Sequence, residues 1–149
     1  MFKKWAVLVV LVFVTAACRS SKRLFKKGSV SQTEVFDAKI PFEVNSNLLI
    51  VTLEIEGQPY RFLFDTGAPM VVDKALRQKF DMKKVARKRV GDSQGKAKNL
   101  DYVKMPPFKL GELTASGLVA IEADLKSTPS IYCLNLDGII GANFMRLGF

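Results

Sequence analysis

At 149 residues and 48% apolar content, the chain is the size of one domain and can bury a core. It contains no histidine, which removes Ser-His-Asp and Cys-His catalysis and histidine-ligated zinc from what it can do alone, and leaves carboxylates as the acid-base groups. The formal charge of +9 points to nucleic acid until it is located: residues 1–30 hold seven of the 23 Lys and Arg and no acid, leaving 16 bases against 14 acids and no basic, aromatic-interleaved groove motif, so no nucleic-acid partner is expected.

In chain order, MFKKWAVLVVLVFVTAA sets Lys3 and Lys4 before an unbroken apolar run from Trp5 to Val14 and small residues before Cys18, the order of a secretory signal peptide over residues 1–17. Trp5 to Cys18 is 14 residues, short of the roughly 18 to 20 that cross a bilayer as a helix. Thr15-Ala16-Ala17-Cys18 resembles a bacterial lipobox, with Thr15 where leucine is usual. The resemblance implies acylation of Cys18 and an exported lipoprotein held at a membrane, on its periplasmic or cell-surface side. Residues 18–34 read as a basic tether, which suits an anionic membrane surface or plain solvation. Two cysteines make no disulfide scaffold, and Cys133 reads as a small buried hydrophobe.

The domain, 35–149, reads as mainly β. Leu49, Val51, Leu53 and Ile55 alternate with polar residues, the period of a half-buried strand. Glu56-Gly57-Gln58-Pro59 is the turn into a second arm, Tyr60 to Phe64. After Asp65-Thr66-Gly67, Asp73 is placed to cap a short helix with Leu76 and Phe80 on its inner face. KKVARKRVGDSQGKAKNLDYVKM reads as an exposed hairpin around Gly91 to Gly95, its basic cluster from Lys83 to Arg89 as a solvated face or as one that favours acidic substrate or membrane lipid. FKLGELTASGLVAIEADL reads as two strands joined through Gly111 or Gly117, and CLNLDGIIGANFMRLGF as an apolar strand, Gly141 and a short helix.

Asp-Thr-Gly alone makes a good turn, since Asp and Thr bond the backbone and Gly accepts positive φ. Its setting is more specific. FLFDTGA, followed about 70 residues later by IIGANFM, resembles the retropepsin-like aspartic proteases. The resemblance spans roughly Phe42 to Phe149 and implies a single lobe with a closed, barrel-like sheet, a flap hairpin and one or two short helices. It implies Asp65 as the catalytic carboxylate, the Thr66 hydroxyl bonding across a subunit junction, and Gly67 and Ala68 supporting the loop. Ile139, Ile140 and Gly141 would brace that loop, and Asp92, Ser93, Gln94 and Gly95 would form the flap tip. No metal or cofactor is implied.

Two carboxylates sharing one proton are needed for this chemistry, so a chain with one Asp-Thr-Gly requires a second copy or a second lobe. Asp137 lies outside such a motif and reads as serving its own turn. Pro69-Met70 and Ala142 replace the acidic residues and the arginine frequent in the retroviral enzymes, so that ion pair is expected to be absent. The family continues past the last helix into an interface strand, whereas this sequence stops at Phe149, which reads either as a truncated chain or as the first lobe of a longer one. The leading expectation is an endopeptidase acting on peptide or protein. The rivals are an inactive peptide-binding lipoprotein of the same fold and a small structural lipoprotein.

Overall fold

The computed structural model describes residues 24–26, 28–31, 38–91, 97–127 and 129–147. The signal segment, Cys18 and the flap-tip residues Asp92, Ser93, Gln94 and Gly95 lie outside the described residues.

The alternating apolar run forms β3 (Leu48–Ile55), with Val51, Leu53 and Ile55 in the core and Thr52 and Glu54 exposed. β2 (Phe42–Asn45) enters it through Ser46-Asn47, and β4 (Gln58–Asp65) leaves it through Glu56-Gly57. All four turn residues have positive φ, as the two-residue turns that suit twisted hairpins require. The turn is therefore shorter than its sequence suggests, because Gln58 and Pro59 already pair with Ile55 and Glu54. Pro59 falls one step beyond the hydrogen-bonded pair closing the turn, so its missing N–H faces away from β3.

β5 (Val71–Asp73) runs into α1 (Lys74–Lys79), where Asp73 Oδ1 caps the first turn by accepting from Ala75 N at 2.9 Å. Leu76 is buried, and Phe80 meets Tyr60 edge to face at 5.6 Å. β6 (Lys84–Gly91) and β7 (Ala97–Lys104) are the arms of the long hairpin. Three strands follow where two were expected: β8 (Phe108–Leu110), β9 (Leu113–Ser116) and β10 (Val119–Ala123). Gly111 and Gly117 both take left-handed φ, 58° and 72°, so the chain turns at each of them rather than at one. α2 (Pro129–Tyr132), β11 (Gly138–Gly141) and α3 (Ala142–Met145) follow, so residues 38–147 hold three short helices among the described residues, one more than expected. Cys133 is exposed and free, not buried, since the turn after α2 points Leu134 and Leu136 inward instead. Part of the segment read as a tether is folded: β1 (Ser29–Ser31) pairs antiparallel with β9.

The described strands form one sheet with the path β1-β9-β8-β3-β4-β11-β5-β10-β7-β6, and β2 shares the outer edge of β3 with β8. No pairing among the described residues joins β1 to β6, so the mainly β lobe is barrel-like in curling around its core without a closed hydrogen-bond ring. That core draws on both ends of the path, from Leu113 and Ala115 of β9 through Phe62 and Ile140 to Val103 of β7, with Phe144 of α3 packed 6.0 Å from Phe108.

Candidate active site

β11 is inserted between two strands that are neighbours in sequence. It runs parallel to β4, with Gly138 to Gly141 opposite Phe62 to Asp65, and antiparallel to β5 through Gly138 opposite Val72 and Ile139 opposite Val71. Residues 66–70, which link β4 to β5, must therefore cross the end of β11. This crossing explains two glycines. A Cβ at Gly141 would overlap the carbonyl of Ala68 and the carbonyl carbon of Pro69, and one at Gly138 would overlap the Phe62 ring and the Val71 carbonyl oxygen.

Asp65 stands at the end of β4, opposite Gly141 and half-buried. Its Oδ1 accepts from Gly67 N at 2.8 Å, an Asx turn that fixes the carboxylate plane. A Cβ on Gly67 would come within 3.3 Å of that oxygen. Thr66 and Gly67 are exposed, and Ala68 is half-buried, its carbonyl accepting from Ala142 N at 2.8 Å. The crossing is tied a second time by Asn143, a buried polar residue whose Oδ1 accepts from Met70 N at 2.6 Å while Nδ2 donates to Val119 O at 3.0 Å.

Asp137 joins β4 and β5 below the loop. Arg61 N donates to its Oδ2 at 2.9 Å, its own N–H donates to Arg61 O at 2.8 Å, and its carbonyl accepts from Asp73 N at 2.8 Å. Asp73 in turn takes Leu125 N on Oδ2 at 3.0 Å, so this buried carboxylate both caps α1 and holds the loop after β10. The Arg61 side chain is engaged elsewhere, by Glu43 at 2.7 Å. The hydrogen bond from Arg61 lowers the Glu43 carboxyl below its ordinary value, and the one accepted by Glu43 raises Arg61.

Alternation along β4 puts Arg61, Leu63 and Asp65 on the face away from the main core, and the register brings Ile50 and Ile139 beside Leu63. Ile50, Leu134 and Leu136 are buried there, with Leu48, Leu63 and Ile131 packed on them, so the carboxylate stands beside an apolar wall. Two cavities among the described residues lie away from Asp65, one between the N-terminal segment and the base of β6–β7 and one beside Glu54 and Lys109.

The family model described as aspartyl protease matches residues 51–144, more than half of the chain. The chain belongs to the aspartyl protease family. A crystal structure of a retropepsin-like aspartic protease from Rickettsia conorii is similar with a TM-score of 0.49 and 11% sequence identity, over 76% of this chain and 85% of that one. No curated protein matches the sequence.

Of the residues the aspartyl protease resemblance singles out, the fold gathers Asp65, Thr66, Gly67, Ala68, Ile139, Ile140 and Gly141 at one crossing. Ile139 lies on the Asp65 face and Ile140 in the core. Asn143 and the Ile50–Leu134–Leu136 wall were missed. The signal for Asn143 was a lone amide inside the apolar stretch IIGANFM, and for the wall an apolar pair, Leu48 and Ile50, on the opposite parity to β3's core residues.

Proposed function

We propose that this chain supplies half the active site of an aspartic endopeptidase, and that a second copy supplies the other half about a two-fold axis beside Asp65. The observation that carries the reading is the Asp65 carboxylate at the end of β4: Oδ1 is occupied by the Gly67 N–H, and Oδ2 is left for a water. Thr66 and Gly67 are exposed beside it, available to a facing loop.

Two such carboxylates about 3 Å apart hold a single proton. The ionised member takes a proton from water as its oxygen attacks the peptide carbonyl. The protonated member donates to the amide, and the C–N bond breaks as the amine leaves. The half-buried Leu63 and Ile139 on the Asp65 face suit side chains of an extended peptide. The β6–β7 hairpin serves as the flap that covers the substrate and excludes water. Residues 1–17 direct export, and an acyl group on Cys18 holds the chain at the membrane.

Asp65→Asn keeps shape and hydrogen-bond capacity while removing the charge. It is expected to lower hydrolysis of an unfolded protein substrate by about 10²- to 10⁴-fold or more. Cleavage by Asp65→Asn at the wild-type rate overturns the assignment.

A further inference from the structure

The charge of residues 31–149 is unevenly divided. Residues 83–104 hold eight Lys or Arg against Asp92 and Asp101, while the rest of that span holds eight against twelve acids. A basic hairpin is thus mounted on an acidic body. Within it, the only acid among the described residues is turned to one face. Asp101 pairs across the ladder with Arg87, which donates to it at 2.6 and 2.8 Å, and Lys84 reaches it at 2.9 Å. Alternation places Lys98, Leu100, Tyr102 and Lys104 on the other face of β7, with Lys88 and Val90 joining them across the ladder.

The N-terminal segment lies against this second face. Phe25 packs on Tyr102 with ring centroids 5.5 Å apart, and the Lys88 ammonium sits 5.9 Å from the same ring. A cavity of about 470 Å³ between the segment and the hairpin base is lined by Leu24, Gly28, Val85 and Lys104. Lys26, next to Phe25, is exposed. Between Cys18 and Leu24 the chain carries Arg19, Lys22 and Arg23 and no acid.

We propose that the Tyr102 face of the β6–β7 hairpin and the N-terminal segment docked on it form one basic surface that lies on an anionic membrane. Its nearness to lipid rests on the anchoring role proposed for Cys18. The contact between Phe25 and Tyr102 puts the two basic elements side by side, so the anchor brings the hairpin to the bilayer. Lys88, Lys98 and Lys104 set three positive charges on that face, where an anionic leaflet attracts them and orients the domain. The membrane then fixes which side of the lobe faces outward, an effect a flexible basic linker lacks.

The test uses the exported chain with Cys18 in place, carrying Cys133→Ser and Val90→Cys, with bimane on the new thiol and nitroxide on the lipid headgroups. Quenching is expected to be about fivefold stronger on phosphatidylcholine vesicles containing about 30% phosphatidylglycerol than on phosphatidylcholine alone, and to fall with salt. Lys88→Gln, Lys98→Gln and Lys104→Gln together should abolish that difference. The same charge change at Lys74, Lys109 and Lys126 should leave it. Equal quenching on both vesicles while the chain floats with both overturns the surface and leaves the anchor standing. Quenching on anionic vesicles by a chain that does not float with neutral ones supports the surface and removes the anchor. Failure to float with either, or a response of the bimane to polyglutamate and not to anionic vesicles, overturns the proposal.

Discussion

The loop crossing at Asp65 and the β6–β7 hairpin belong to the same sheet, joined through β10 and β5, yet opposite forces hold them. At the crossing, backbone passes over backbone with no room for a Cβ, and the groups left without ladder partners are tied by Asn143 and Asp137 in buried or half-buried positions. The hairpin keeps its ladder but exposes most of its side chains, and its ion pairs stand in water. Buried bonds cost the full desolvation of a group when one partner is lost, whereas exposed ion pairs contribute little. The shared carboxylate pair proposed for Asp65 would need the first kind of scaffold, and the lipid-facing surface proposed for the hairpin the second.

Gly141→Ala should break the comparison most severely, because the atoms it meets are backbone and cannot rotate away. A loss of about 4 kcal/mol or outright failure to fold is expected in urea unfolding, against less than about 1 kcal/mol for Gly91→Ala, where nothing lies nearby. Asn143→Leu should come next. It leaves the Met70 N–H and the Val119 carbonyl unpaired in the interior, an expected loss of about 3 kcal/mol by the same measurement.

At the exposed end, Asp101→Asn should shift Tm by no more than about 2 °C. The Asp101 carboxyl is held well below the usual carboxylate range, chiefly by the hydrogen bond from Arg87 and then by that from Lys84. Because the folded value is the lower one, its contribution is present above the ordinary carboxylate pKa of about 4 and is lost as pH falls below it. The difference between wild type and Asp101→Asn, followed by thermal melts from pH 7 to 3, should shrink toward acid. A difference that grows toward acid contradicts the sign.

The elements carried by local pattern were legible in the sequence. The period of two in Val51 to Ile55, the Asp73 cap and the basic hairpin arms need only neighbours in the chain, whereas Leu49, read on the same face, is exposed. Non-local relations were not. Nothing between residues 65 and 71 says that β11, 70 residues later, slides between β4 and β5, and the need for glycine at 138 and 141 follows only from that insertion. Cys133 illustrates the same limit, since hydrophobicity argues for burial while the turn after α2 chooses Leu134 and Leu136. Asp137 reads as a turn residue and is one, but its bonds to Arg61 and Asp73 across two strands are visible only in three dimensions.

The pairing of Asp65 with its own copy is tested most directly by mixing wild-type chain with increasing Asp65→Asn chain at fixed total concentration and measuring peptide hydrolysis. If each site needs two Asp65 carboxylates and chains exchange freely, activity falls as the square of the wild-type fraction. Activity falling in simple proportion to that fraction means that one chain works alone and contradicts the shared site.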